Sequence, residues 1–260
     1  MRDRIYRTEA LILRRTDVGE ADRVLLIATP RGKQRIVARG VRKTTSRLAG
    51  GVELFTHVTL LLAIGRNLDI VTQAHVLTAL HGVRGSLERL SCAYYMAELY
   101  DALVQGELEQ PAFFRLLVQA LEALDSTNNS DLVLRAYELR MLHCAGYRPQ
   151  LHRCVITQEP LGEHAHSFSP TLGGMLSPAQ RHADRYAIEL SLSAFKLLRF
   201  LQQQPFSALE RLNISDAVRA EVAALLRVYL RQFLERDLKT IPFLAALQTA
   251  ESPREEANLP

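Results

Sequence analysis

Apolar and polar positions alternate along the first eighty residues in short runs, at Tyr6–Leu13, Asp22–Ala28, Lys33–Arg39, His57–Ile64 and Leu68–Val76. Asp17-Val18-Gly19, Pro30-Arg31-Gly32, Gly50-Gly51 and Gly65-Arg66-Asn67 punctuate them, as turns between strands do. Five short strands in so little chain predict a small closed barrel, which leaves no sheet edge exposed. An OB-like barrel is the first expectation and an SH3-like barrel its nearest competitor.

The period then changes to that of helices. Ser86 is placed to cap a helix running to about Gln105, with Gly106 just past its end. Its expected apolar stripe is Leu87, Leu90, Tyr94 and Ala97, widened by Tyr95, Leu99 and Ala102. Pro111 opens a second helix with Phe113, Leu117, Ala120 and Leu124 in register, and a third runs from Asp131 to Gly146 through Leu132, Ala136, Leu139 and Leu142. Further helices are expected at Leu192–Gln203 and Ser215–Asp237, the latter with Val218, Val222, Leu225, Tyr229 and Phe233 along one side. Residues 146–184 show neither period. The fold class expected is α+β: a barrel over 1–80, helices over 81–150 and 186–247, an irregular insertion over 151–185, and a flexible tail over 248–260.

Charge sharpens this division. Residues 1–85 hold 15 Lys and Arg against 7 Asp and Glu, a net of +8, whereas the rest hold 17 against 21, a net of −4. Seven cations, Arg31, Lys33, Arg35, Arg39, Arg42, Lys43 and Arg47, fall within 17 positions that contain no acid. Strand alternation puts Lys33, Arg35 and Arg39 on one face and turns Ile36 and Ala38 into the barrel. The run continues into a mobile basic loop, and the whole suits a phosphate backbone. Lys33, Arg35, Arg39, Arg42, Lys43 and Arg47, with Arg14, Arg15 and Arg31 in second rank, are the expected contacts if that backbone is DNA. RNA or an acidic protein is the alternative ligand for the same surface.

Other chemistry finds little support. No H-E-x-x-H, G-x-S-x-G or phosphate-loop motif occurs, so neither an enzyme nor a bound cofactor is expected, and a hydrolase or nuclease site assembled only in space is the remote alternative. Cys92 and Cys144 lie in helices and read as buried thiols. Cys154, His152, His164, His166 and His182 gather in the insertion without a C-x-x-C pair, and no metal site is expected. No apolar run reaches membrane length and no leader is apparent; three scattered cysteines fit a reducing, cytoplasmic setting.

The order of short motifs resembles the bacterial DNA repair protein RecO family. It lies in Thr8–Leu13, Gly19-Glu20-Ala21-Asp22-Arg23, Gly32-Lys33, Gly40-Val41-Arg42-Lys43, Ser46-Arg47-Leu48, Glu53-Leu54-Phe55 and Leu68-Asp69-Ile70. It continues through Leu139-Arg140-Met141-Leu142, Gly146-Tyr147-Arg148-Pro149, Leu151 to Cys154, Phe168-Ser169, Gly173-Gly174-Met175-Leu176, Asp237-Leu238-Lys239-Thr240 and Phe243-Leu244. The resemblance implies an OB barrel, a helical body and a small zinc-ribbon-like insertion. It also implies a bacterial, nucleoid-associated recombination mediator that binds single- and double-stranded DNA and anneals complementary strands. With RecR, and in some settings RecF, such a mediator helps RecA replace single-strand-binding protein (SSB), which it engages through the acidic C-terminal tail. It supports Lys33, Arg42, Lys43 and Arg47 as contacts. The four zinc-ligand positions implied here read Cys154, Thr157, Ser177 and Gln180, so the ribbon is expected to be metal-free.

Overall fold

The computed structural model describes residues 4–106, 109–162, 166–234, 238–244 and 246. Five strands, β1 (Ile5–Val18), β2 (Asp22–Thr29), β3 (Gly32–Ala38), β4 (His57–Ala63) and β5 (Asp69–Thr78), close in the order β1-β2-β3-β5-β4. All neighbours are antiparallel except β3 and β5, whose Ile36 and Val37 run parallel to Asp69 and Ile70. That order is OB-like, and it decides against the SH3-like alternative. The interior is filled by the inward alternates of every strand, among them Ile12, Leu25, Ile27, Ile36, Leu60, Leu62 and Val71.

The register of β1 slips between Ile12 and Arg14, so that Leu13 is an extra residue on that strand. Ile12 faces the barrel interior, while Leu11 and Leu13 pack outward against the helices. Simple alternation would have put Arg14 on the same side as Ile12. The bulge instead brings Arg14 opposite Leu26 on the outer face and Arg15 opposite the inward Leu25.

The helices are α1 (His81–Gly85), α2 (Leu87–Leu103), α3 (Pro111–Ser126), α4 (Ser130–Cys144), α5 (Leu192–Gln203) and α6 (Asp216–Leu234). The Ser86 side chain accepts the Arg89 N–H and caps α2, and Ser191 does the same for Ala194 at α5. α2 stops at Leu103, short of the expected Gln105, and Gly106 follows with φ of +59°. The stripe expected on α2 holds in part: Tyr95, Ala97 and Leu99 are buried and Leu90 and Ala102 half-buried, but Leu87 and Tyr94 are exposed, and Cys92, Met96 and Tyr100 are buried outside it. Because α2 packs against both α3 and α4, its buried surface is broader than the stripe the spacing suggested. The stripes expected on α3 and α4 are buried as read, and on α6 Val222, Leu225 and Tyr229 are buried between half-buried Val218 and Phe233. The last residues of the helix expected to reach Asp237, and the tail from 248, lie outside the described residues.

The insertion is more regular than its sequence suggests. β6 (His166–Ser169) is flanked by β7 (Gly174–Leu176) and β8 (Ile188–Leu190) in an antiparallel sheet. Each strand has three or four residues, and all four of β6 are buried, so neither length nor alternation betrays it. Gly174 is required here, since a Cβ would stand 2.6 Å from the Gln150 carbonyl oxygen.

Barrel and helices share one core. Leu11, Leu13, Ala28, Leu54 and Phe55 from the barrel belong to the same buried cluster as the apolar faces of α2 to α6. Inside α4 the Glu138 carboxylate, fully buried, receives Arg135 at 2.8 Å and the Tyr95 hydroxyl at 2.5 Å. A charge so placed is tolerable only because it is paired and hydrogen-bonded.

Candidate nucleic-acid interface

The helical body covers only part of the outer face of β1, β2 and β3. Beyond Leu11, Leu13 and Ala28 that face opens into a cleft of about 440 Å³ lined by Arg14, Thr16, Val24, Leu26, Lys33, Gln34, Arg35 and Asp101. Leu26 lies opposite Arg14 on one side and Arg35 on the other, so one rung of sheet presents an apolar centre between two guanidinium groups. Arg39 follows just past the end of β3.

The loop beyond is held in place by turns. Gly40, at φ of +62°, donates its N–H to the Asp22 carboxylate at 2.7 Å, and Arg42 donates its own N–H to the Ala21 carbonyl at 3.0 Å. Val41 is buried in the barrel core and Leu48 packs against it, while Ser46 N–H closes a turn on Lys43 at 2.9 Å. The expected mobile loop is therefore an anchored one, with Arg42, Lys43 and Arg47 exposed on it.

The nine sequence-predicted contacts divide by their partners. Arg35, Arg39, Lys43 and Arg47 are exposed and form no ion pair among the described residues. Lys33 is different: its Nζ reaches both the Asp101 carbonyl and the Asp101 carboxylate at 2.6 Å. It thereby caps the last turn of α2, where carbonyls lack intrahelical partners and a cation is favoured. Its backbone N–H also donates to the Gly106 carbonyl at 3.1 Å. Arg14 stands 3.7 Å from the same Asp101, and Arg31 lies 3.9 Å from Glu109, both loosely and in solvent.

Arg15 and Arg42 enter a chain of alternating charges at the barrel mouth. Arg15 pairs with Glu53; Glu53 also lies 3.6 Å from Arg23; Arg23 donates to Asp17 at 2.8 Å; and Asp17 lies 3.4 Å from Arg42. The Arg23 hydrogen bond, helped by the charges of Arg42, Arg23 and Arg15, holds the Asp17 carboxyl below its usual range. Exposed pairs of this kind contribute little, so Arg42, Arg31 and Arg14 can exchange their partners for phosphates at little cost. Lys33 and Arg15 are committed to the fold. Sequence reading missed the carboxylates because they come from elsewhere in the chain: Asp101 from α2, Asp17 from β1, Glu53 from the connection before β4 and Glu109 from just before α3.

The model described as Recombination protein O N terminal matches residues 1–80, and that described as Recombination protein O C terminal matches residues 84–242. The chain belongs to the RecO family. A DNA repair protein RecO of Roseiflexus sp. (strain RS-1) is 54% identical over 244 residues, covering 94% of this chain and 86% of that one. DNA repair proteins RecO of Dehalococcoides mccartyi (strain ATCC BAA-2266 / KCTC 15142 / 195) and Desulforamulus reducens are each 34% identical over 246 residues, covering 94% of this chain and 97% and 95% of theirs. RecO-family membership makes the chain a DNA repair protein. No helix among the described residues is long and apolar enough to cross a membrane.

The zinc ribbon implied by the resemblance does not fit the residues present. Thr157, Ser177 and Gln180 offer no soft ligand beside Cys154, and no group of three or more His, Cys, Asp or Glu among the described residues is arranged to hold a metal. The Cys154 Sγ is buried and accepts the Ser177 N–H at 3.5 Å instead. Burial opposes its ionisation, but N–H groups of Thr157, Ser177 and Ile156 and the Thr157 hydroxyl outweigh it and bring the thiol down to about 7. Nearby, the Ser169 hydroxyl donates to the buried Asp184 carboxylate at 2.5 Å, tying β6 to the turn before β8. His152 accepts from Arg199, the His166 ring bonds the Gly162 carbonyl and packs on Phe195, and His182 is exposed. His164 lies outside the described residues. Of the other two thiols, Cys92 is buried and pushed up to about 12 by desolvation, and Cys144 is half-buried.

Proposed function

We propose that the chain binds single- and double-stranded DNA along the outer face of β1–β3 and the loop that follows, and anneals complementary strands. The observation that carries this reading is the row of Arg35, Arg39, Lys43 and Arg47, exposed and without carboxylate partners among the described residues, running from the cleft onto an anchored loop. Arg42, Arg31 and Arg14 stand beside it in exchangeable pairs. Such a surface gains affinity by releasing counterions from phosphates and has no arrangement for reading base edges. Annealing needs little more: screening the repulsion between two backbones lets them meet, and pairing supplies the free energy. Membership of the family supports a role as a non-catalytic mediator that, with RecR and in some settings RecF, helps RecA onto SSB-coated strands and meets SSB at its acidic tail.

Single-strand affinity measured against salt tests the surface. Each of Arg35→Ala, Arg39→Ala, Lys43→Ala and Arg47→Ala should flatten the log–log slope by about 0.7, with little change from one sequence to another. A quadruple variant with the slope of the parent chain would overturn the assignment. Displacement by an RNA or an acidic peptide, but not by DNA, would redirect it to the adaptor reading.

A further inference from the structure

The body carries a net charge of −4, yet residues 139–158 and 190–209 contain no Asp or Glu. The fold lays these two stretches side by side. α5 contributes Arg199, Gln202 and Gln203, which share one face at three- and four-residue spacing. Against it lies the connection after α4, with Arg148, His152 and Arg153. Arg199 donates to the His152 Nδ1 at 2.8 Å, which leaves the ring proton on Nε2, 2.9 Å from the Gln203 side-chain amide. Arg148 donates to Gln202 at 3.3 Å, whose own amide donates to the Pro149 carbonyl at 2.9 Å. Arg153 donates to the Gln158 carbonyl at 2.9 Å. At the end of α5, Arg140 bonds the Gln204 carbonyl and lies over Phe206, its guanidinium carbon 3.9 Å from the ring centre.

Among the described residues every acceptor in this network is neutral, so the guanidinium charges are positioned but not cancelled there. Arg140 and Arg153 cap carbonyls, as single arginines near helix ends and turns do. That role does not account for Arg148 and Arg199, which are held by an amide and an imidazole. Burial, with the charges of Arg199 and Arg148, keeps His152 below the usual histidine range, so its Nδ1 is free to accept from Arg199. Fixed guanidinium forks interleaved with glutamine amides match the contacts made to a sugar–phosphate backbone.

We propose that this face of α5 and the connection after α4 is a second nucleic-acid surface, so that one molecule holds one strand on the barrel and another on the body. The inference rests on the reading of the barrel as strand-binding, and the two are separable by experiment. Three full-length proteins are compared: the parent chain, an Arg148→Ala/Arg153→Ala/Arg199→Ala body variant, and the barrel quadruple variant. Native mass spectrometry counts short oligothymidines bound per molecule, and fluorescence follows annealing of complementary strands. The body variant should bind one oligothymidine where the parent binds two, keep the affinity of the first, and anneal about tenfold more slowly. An Arg148→Lys/Arg153→Lys/Arg199→Lys variant, which keeps the charge, should recover most of the second binding, excluding a folding defect. A body variant that still binds two strands and anneals at the parent rate would overturn the inference. So would a body surface that takes a polyglutamate peptide which oligothymidine cannot displace. Failure of the barrel reading shows separately, as unchanged binding in the quadruple variant.

Discussion

Lys33 and Arg35 lie two residues apart on the same face of β3, yet only one of them is free to meet a ligand. The difference is Asp101, whose carboxylate and carbonyl both take the Lys33 ammonium and whose carboxylate also faces Arg14. Asp101→Asn therefore has two effects of opposite sign. Freed of their counter-charge, Lys33 and Arg14 should raise single-strand affinity at low salt, read by fluorescence anisotropy. Loss of the clamp should lower stability by about 1 kcal/mol, read by thermal or urea unfolding. An affinity that falls along with stability would mean that Asp101 helps to shape the binding face instead of neutralising it.

At the scale of elements, the barrel strands and most helix ends were legible because local chemistry fixes them: alternation for the strands, Ser86 and Ser191 as caps, Pro111 at a first turn. Three things were not. The bulge at Leu13 reverses which of Arg14 and Arg15 faces outward, and a run of Leu-Ile-Leu carries no mark of it. The buried side of α2 depends on which neighbours it meets. The insertion strands are too short to show a period, and their order is kept by long-range bonds such as Val155 N–H to the Met175 carbonyl at 2.9 Å. The candidate site was legible as a concentration of cations and illegible in its carboxylates, which only folding brings near. In the insertion, Cys154 stands where a metal ligand is implied and serves as a hydrogen-bond acceptor. A thiol lowered to about 7 in the fold contributes stability that is fully present above its unfolded value near 9 and is lost as pH falls through 7. The difference in melting temperature between the parent chain and Cys154→Ala should therefore widen from pH 7 to pH 9. A chelator should leave the parent's melting temperature unchanged; a fall on chelation would show that a metal holds the insertion after all.

For the whole molecule, the net +4 is the sum of a +8 barrel and a −4 body, and the body itself brings two acid-free stretches of chain, 139–158 and 190–209, side by side. These charges ride on a single interior. The boundary after residue 80 separates strands from helices, but Leu11, Leu13, Ala28, Leu54 and Phe55 cross it into the helical core. Unfolding should accordingly be one event, with calorimetric and van't Hoff enthalpies equal; two resolved transitions would show that the barrel holds together alone. The same crossing bears on inheritance. A barrel transplanted onto a relative's helices would bring five apolar side chains shaped for a different partner surface, so the two halves of this chain are exchangeable only as a pair. Drift in either one is constrained by the other.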